Sequence, residues 1–356
     1  MKRFFIFSQA LMLSLTLSAQ TQVTDYHPGV TEDGVTYFLP KTVVRVAVTA
    51  EKVHHEPGEY CEFAQRFLRL KDVTQAAYDE WTIKSVTLST YGVADKTNAY
   101  SIKFKQKTSA PFVGLSPDGR LLAINAEAPE APQLPQASVV AGNKKSTDGA
   151  SFKTQEILSA GSTAKMAELT ANEIYDIREN RGLLAKGQAD FMPKDGEQLR
   201  LMLASLDAQE EGLLSLFKGT ESVETHTFVM DVTPNADSAT CELFRFSKYL
   251  GMVAADDPIG MPVYVTVKDL KTVPEQTPNP KGKQKKEVED VRYVVPSRVE
   301  VCVYDDCDTY AKQSFPMAQF GRVEHLGGEL FNKKSSTRIV FFPETGGIAK
   351  IEGEVQ

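Results

Sequence analysis

The chain has 356 residues, 42% of them hydrophobic and 24% charged, a composition that indicates a globular protein of one or two domains rather than a disordered chain. Its formal net charge of −7 argues against a nucleic-acid partner, because basic surface supplies most of the affinity for nucleic acid. Beyond the first twenty residues no apolar run is long enough to span a membrane. The sequence contains neither a dinucleotide-binding nor a phosphate-binding motif, so no cofactor is predicted.

Residues 1–19 match the pattern of a secretory signal peptide. The basic pair Lys2-Arg3 precedes an almost uncharged apolar segment that ends in the small residues Ser18-Ala19. A bacterial lipoprotein would carry a cysteine directly after the small residues, where this chain has Gln20. We therefore expect a mature protein that is exported without a lipid anchor and is periplasmic, associated with the outer membrane, or extracellular.

Residues 20–128 are predicted to form a β-rich portion with one amphipathic helix. Valines alternate with other residues over 44–48, which is the two-residue period of a half-buried strand. Two further alternating segments, 81–91 and 100–105, and a tight turn at 116–119 indicate more strands. Between them, five apolar side chains recur at helical spacing: Tyr60, Phe63, Ala64, Phe67 and Leu68.

The centre of the chain is predicted to be a linker followed by a helical hairpin. Three closely spaced prolines favour an extended linker over 129–160. Over 161–220 apolar residues recur at helical spacing in two segments, which predicts a long antiparallel helical hairpin. The first helix should end at Gly187, and the second should begin at Asp195, with Gln198 completing a capping box.

Residues 221–356 are predicted to be a second β-rich portion. Valines alternate over 263–267 and 299–303, the segment 314–320 should return beside the latter, and residues 339–351 should form a closing hairpin. The sequence therefore predicts an α+β fold in which two β-rich portions flank the helical hairpin. Similar short blocks near Cys61 and Cys241 suggest an internal duplication. Whether the β-rich portions share one sheet or form two domains stays open.

Ser162 and Lys165 are the weak candidates for a catalytic pair. A serine and a lysine one helical turn apart resemble the nucleophile and base of penicillin-binding proteins. The companion Ser-x-Asn and Lys-Thr-Gly elements of those enzymes are missing from the sequence. We therefore favour the alternative, in which Ser162 caps the first helix.

Other polar residues could be modified or could bind a ligand, and for some of them a simpler structural role is the alternative. Cys302 and Cys307 flank a hairpin tip, where a disulfide and two unlinked cysteines are both open. Ser238, in Asp-Ser-Ala, is similar to a short bacterial O-glycosylation acceptor. The neighbouring histidines of His54-His55-Glu56 are expected to lie in a solvated loop rather than at a metal, because adjacent side chains point apart.

Arg178 and Arg181 lie near the apolar stripe of the first predicted helix. Such arginines could hold an anion in a cleft. We favour ion pairs with acidic residues such as Glu210 or Glu211, because the long stems of charged side chains often cover apolar surface.

Several short segments together resemble a known protein family. They are Gly34–Pro40, Gly58–Tyr60, Phe63-Ala64, Ile177–Arg181, Asp195–Glu197, Leu216–Gly219, Phe244–Ser247 and Pro316–Gly321. In this combination the chain resembles a family of secreted Bacteroidetes proteins catalogued as a domain of unknown function. The resemblance implies a Gram-negative envelope setting and supplies no catalytic residue.

The expected function is that of a non-catalytic cell-envelope module that contacts a protein or a glycan. The export pattern supplies the setting, and no cluster of nucleophile, base or metal ligands is apparent in the sequence. The alternative is a hydrolase that acts on cell-wall or dietary polymer.

Overall fold

The computed structural model describes residues 22–25, 35–103, 112–142, 148–193, 195–235, 237, 239–274, 291–327 and 335–355, so the predicted signal peptide lies outside the described residues. The described strands are β1 (Gln22–Asp25), β2 (Val35–Glu56), β3 (Tyr78–Lys103), β4 (Val113–Leu115), β5 (Leu121–Ile124), β6 (Ser138–Ala141), β7 (Thr220–Val232), β8 (Ala239–Ser247), β9 (Gly251–Val253), β10 (Met261–Asp269), β11 (Val291–Tyr304), β12 (Thr309–Leu326), β13 (Ser335–Phe341) and β14 (Ile348–Val355). The described α-helices are α1 (Ala64–Leu68), α2 (Gln155–Leu158), α3 (Thr163–Lys186) and α4 (Gly196–Lys218), with short 3₁₀ helices at Cys61–Phe63 and Gly149–Phe152.

The strands form three antiparallel sheets. The first has the order β1-β3-β2-β7-β6, the second β12-β11-β10-β8-β9, and the third β14-β13-β5-β4. Part of the segment predicted as a linker is β6, which pairs with β7 at the edge of the first sheet. Within the described residues, no helix has both the length and the apolar character needed to cross a membrane.

Strand β2 runs the length of the first sheet and connects the parts of the molecule. Its 22 residues span about 70 Å at the usual rise of a strand. Val44, Val46 and Val48 are fully buried on one face, as their alternation predicts. β3 pairs with one edge of β2 along nearly its whole length, and β7 pairs with the other edge from Val44 to Glu56.

The first and second sheets pack face to face as a sandwich. Apolar residues at alternate positions of β2, β10 and β11 meet in its core, which is the usual way two antiparallel sheets bury their inner faces. The buried members are Val44, Val46, Val48, Val86, Phe244, Val263, Val265, Val267, Val299, Val301, Val303, Phe315 and Met317.

Two further cores lie at opposite ends of β2. The start of β2 packs with the third sheet and the beginning of β11, around Tyr37, Ile102 and Ile339. The helices pack with Tyr60, which follows β2, in a core that includes Ile174 and Phe217. Tyr60 also donates its backbone N–H to the carbonyl of Leu216 at 2.7 Å, which ties the chain after β2 to the end of α4.

The prediction of an α+β fold, with two β-rich portions flanking a long antiparallel helical hairpin and an internal duplication, is wrong. Strands make up 49% and helices 23% of the structure, and the strands form three antiparallel sheets. β2 and β7 pair although the helices separate them in sequence, and β5 pairs with β13. These pairings depend on backbone hydrogen bonds between distant segments, which hydrophobic periodicity cannot locate.

The two blocks compared as a duplication also differ in structure. Cys61–Phe63 forms a 3₁₀ helix, whereas the block at 241–243 lies inside strand β8. The similarity of three residues therefore does not extend to a shared conformation.

Candidate functional site

The sheet face that forms the sandwich core also carries aromatic and charged side chains near the end of β2. In the β2–β3 ladder Lys52 pairs with Trp81 and His54 pairs with Asp79, while Lys52 also lies opposite Glu224 on β7. Directly paired residues, and alternate residues along a strand, share one face of a sheet. We call this group the aromatic site: Lys52, His54, Asp79, Trp81, Glu224, His226 and Phe228.

Three rings form the apolar part of the aromatic site. The ring centroids of Trp81 and His226 are 4.7 Å apart, and those of His226 and Phe228 are 6.0 Å apart. All three residues are half-buried, so they are held by packing while part of each remains accessible. Trp81 is the single tryptophan of the chain, which makes its fluorescence a direct report on this site.

Charged groups line the same face. The ammonium of Lys52 lies 3.0 Å from Oδ2 of Asp79 and 6.0 Å from the centroid of the Trp81 ring. Nδ1 of His54 lies 2.6 Å from Oδ1 of Asp79, and Nε2 of His226 lies 3.3 Å from Oε2 of Glu224. The carboxylates are therefore oriented by neighbouring donors, and the Lys52 ammonium is near both a carboxylate and an aromatic ring.

These contacts change the acidity of Asp79. The hydrogen bond donated by the His54 ring lowers the pKa of Asp79, and the hydrogen bond from Lys52 lowers it further. Asp79 consequently stays ionised well into the acidic range and remains a hydrogen-bond acceptor.

The turn between β8 and β9 closes one side of the aromatic site. The backbone N–H of Trp81 donates to the carbonyl of Lys248 at 2.7 Å. Gly251 has a φ of +75°, and a Cβ at this position would lie 2.8 Å from Cδ2 of Trp81, so only glycine fits against the indole. Tyr249 and Leu250, between these two contacts, are 68% and 56% exposed.

The arrangement combines the features that a small polar ligand with apolar faces requires. Aromatic rings provide flat apolar surface, while carboxylates accept hydrogen bonds and Lys52 donates them. Two histidines can do either, according to their tautomer. The arrangement therefore matches a ligand with hydroxyl groups along its edges and C–H groups on its faces.

Ser162 and Lys165 lie exposed at the start of α3. The hydroxyl of Ser162 accepts a hydrogen bond from the backbone N–H of Lys165 at 3.3 Å, which is the geometry of a helix cap. The ammonium of Lys165 lies 3.2 Å from the carboxylate of Glu168, its neighbour one turn along the helix. The lysine amine is therefore directed along α3 toward an acid.

The candidates for covalent modification, Cys302, Cys307 and Ser238, do not belong to the aromatic site. Cys302 lies in the β11–β12 ladder and Cys307 in the turn that follows, and both thiols are free in this structure, so the disulfide stays a prediction. Ser238 lies outside the described residues, and its glycosylation stays a prediction as well.

His54 and Glu56 do not lie in a solvated loop, as the sequence suggested, but at the end of β2. His55 points to the opposite face, where it is 5% exposed and stacks on Tyr78 with centroids 4.9 Å apart. The signal that could have revealed the site is a two-residue period of functional side chains: Lys52, His54 and Glu56 on β2, and Asp79 and Trp81 on β3. Within the described part of the chain, no three His, Cys, Asp or Glu side chains are placed to hold a metal ion.

Comparison with known proteins identifies a family whose function is not assigned. A model of the family described as Domain of unknown function (DUF4831) matches residues 33–349, a range that includes all residues of the aromatic site. No curated protein and no solved structure matches the chain.

Proposed function

This chain belongs to the DUF4831 family of unknown function, and we propose that it is an exported, non-catalytic module that binds glycans of a Gram-negative cell envelope through the aromatic site. The signal-peptide pattern of residues 1–19 supports export, and the resemblance to secreted Bacteroidetes proteins supports this setting. The observation that carries the proposal is the grouping of Trp81, His226 and Phe228 with oriented carboxylates on one accessible sheet face.

The charges of the site favour a glycan over a polyanion. Asp79 and Glu224 lie on the same sheet face as the rings, whereas Lys52 is the single lysine or arginine of the aromatic site and is already paired with Asp79. A nucleic acid or another strongly acidic polymer would meet these carboxylates. Neutral sugars would instead donate hydroxyl groups to them.

Titration of the mature chain with chitotriose, maltotriose and cellotriose, followed by Trp81 fluorescence, tests the proposal. We expect a saturable change for at least one of these probes. In calorimetry, Trp81→Ala should weaken its binding by about tenfold or more, because an aromatic anchor in a ligand site contributes on the order of 2 kcal/mol.

Phe191→Ala is the matched control, because Phe191 is an aromatic residue that is 70% exposed outside the aromatic site. The Phe191→Ala variant should bind the sugar probe with the same affinity as the unchanged chain. Absence of saturable binding to all three probes, or equal losses in the two variants, would refute the proposal.

A hydrolase is the second candidate, and one observation favours it. Asp79, His54 and Ser222 lie side by side on β3, β2 and β7, in the order of an acid, a base and a nucleophile. The candidate ranks second because Nε2 of His54, the atom that would take the serine proton, lies 3.7 Å from Oε1 of Glu56. Product analysis after incubation with the same three sugars and with p-nitrophenyl acetate would detect hydrolysis, and Ser222→Ala would abolish it only if this row is catalytic.

A further inference from the structure

A cavity of about 430 Å³ opens where the end of β10 meets a bulge in the β11–β12 ladder. Register in this ladder shifts between Val295 and Ser297, which makes β12 bulge opposite Pro296. Gly321 permits the bulge, because a Cβ there would lie 2.1 Å from the carbonyl oxygen of Val295. The volume is in the lower part of the range found for small-molecule sites. We call this the β10–β12 cavity.

A buried serine and a half-buried aspartate form a hydrogen-bonded pair in the cavity wall. Ser297 is 1% exposed, and its Oγ donates to Oδ1 of Asp269 at 2.6 Å. The backbone N–H of Lys271 donates to the same oxygen at 2.9 Å. Within the described part of the chain, the Asp269 side chain accepts hydrogen bonds through Oδ1 alone. Oδ2 is therefore available to a donor in the cavity.

Two cations stand in the wall of the same cavity. Lys271 is exposed and, among the described residues, forms no ion pair. Arg322 is held in place, because its Nη1 donates to the carbonyl of Pro274 at 3.0 Å and its Nε lies 2.6 Å from Oε1 of Glu324. Lys271 is thus the cation available to a ligand, whereas Glu324 offsets the charge of Arg322.

Apolar groups complete the wall. Phe320 lies on the bulged part of β12, Val323 lies just after the bulge, and Val273 lines the cavity from the segment after β10. One cavity therefore holds a carboxylate oxygen and an ammonium that have no partner among the described residues, together with an apolar surface. A ligand that matches all three carries an amine, a carboxylate and an apolar group within a small volume.

We propose that the β10–β12 cavity binds a free α-amino acid with an apolar side chain. The ligand ammonium pairs with Oδ2 of Asp269, the ligand carboxylate pairs with the ammonium of Lys271, and the side chain packs against Phe320 and Val323. This site is independent of the proposed glycan function, because it lies on the second sheet and shares no residue with the aromatic site.

Calorimetric titration of the mature chain with L-phenylalanine, N-acetyl-L-phenylalanine and L-phenylalaninamide tests the proposal. The free amino acid should bind saturably. Each blocked compound loses one ion pair and should bind about tenfold more weakly, because a charge-assisted hydrogen bond contributes on the order of 1.5 kcal/mol or more.

The variants identify which residue recognises which end. Lys271→Gln should weaken the binding of L-phenylalanine but not of the amide, which has no carboxylate. Asp269→Asn should weaken the binding of L-phenylalanine but not of the N-acetyl compound, which has no ammonium. Lys268→Gln is the control, because this exposed lysine on β10 lies outside the cavity wall, and it should leave all three affinities unchanged.

Urea denaturation of each variant shows whether it folds. If Asp269→Asn does not fold, the exposed Lys271→Gln variant still decides the carboxylate half of the proposal. Lack of saturable binding of L-phenylalanine at millimolar concentration overturns the proposal, and so does an equal effect of Lys271→Gln on the amino acid and its amide.

Discussion

Thr42→Val should strongly destabilise the fold, because Thr42 connects the three sheets. Thr42 is fully buried in β2. Its Oγ1 donates to the carbonyl of Glu344 at 2.9 Å and accepts from the backbone N–H of Ala318 at 3.0 Å. Its own backbone N–H and carbonyl bond to the side-chain amide of Gln319 at 3.0 and 2.9 Å.

The magnitude follows from the groups that valine would leave unpaired. Valine keeps the shape of threonine but offers no hydroxyl, so the N–H of buried Ala318 and the carbonyl of half-buried Glu344 each lose a partner. Each unpaired buried group costs about 1–3 kcal/mol. We expect a total loss of about 3 kcal/mol of unfolding free energy, which lowers the urea midpoint by about 1 M at an m value of about 3 kcal/mol/M.

Thr170→Val is the matched control for this prediction. Thr170 is equally buried, but its Oγ1 donates to the carbonyl of Met166 in the preceding turn of α3. That carbonyl is part of the helix ladder, so the loss should stay below about 1 kcal/mol. Equal urea midpoints for the two variants, at unchanged m values, would show that the three-sheet connection contributes little.

Three other changes have defined outcomes. Gly251→Ala should cost about 1–2 kcal/mol and weaken glycan binding, since alanine would be strained at this positive φ and would collide with Trp81; unchanged Trp81 fluorescence and affinity would contradict the packing. His55→Phe should raise the free energy of unfolding by about 1 kcal/mol, because both buried ring nitrogens have no hydrogen-bond partner among the described residues while the stack on Tyr78 would persist. A higher urea midpoint is therefore expected, and a lower midpoint would contradict this. The hydrogen bond from Arg45 lowers the pKa of Asp231 in the folded protein. The ionised carboxylate therefore stabilises the fold at pH values above the pKa of an unfolded Asp, which is about 4, and this stabilisation is lost as the pH falls through the lower pKa of the folded state. Asp231→Asn should therefore be less stable at pH 7 and lose less stability below about pH 4 than the unchanged chain, as measured by denaturation at both pH values; parallel losses would refute the assignment.

Local features of the helices could be predicted from the sequence because their causes lie within a few residues. Asp195 accepts from the backbone N–H of Gln198 at 2.7 Å, and Gly187 ends α3 with a φ of 69°, so both predicted helix ends are confirmed. The pairing of Arg178 with Glu210 is also confirmed, with Nε and Oε1 at 2.6 Å.

Only part of the aromatic site leaves a signal in the sequence, because β2 and β7 are separated by the helices and meet only in the folded sheet. Lys52 and Glu224 become neighbours through the β2–β7 ladder, although the helices lie between them in sequence. In the sequence, Trp81 and Phe228 each belong to an alternating segment that is equally typical of a buried strand. Only the register shows that they share a face with oriented carboxylates.

By itself, the sequence determined the alternation of the strands, the turn at Ser116–Gly119 and the capped ends of the helices, since each depends on contacts between near neighbours. The tertiary structure alone decided that the β-rich segments before and after the helices build common sheets, and that β5 lies beside β13. Strand pairing joins any two edges with matching faces, and the free energy of that choice is shared by residues hundreds of positions apart. Periodicity therefore identifies strands, whereas their partners, and the binding surfaces made by those partners, follow from the complete fold.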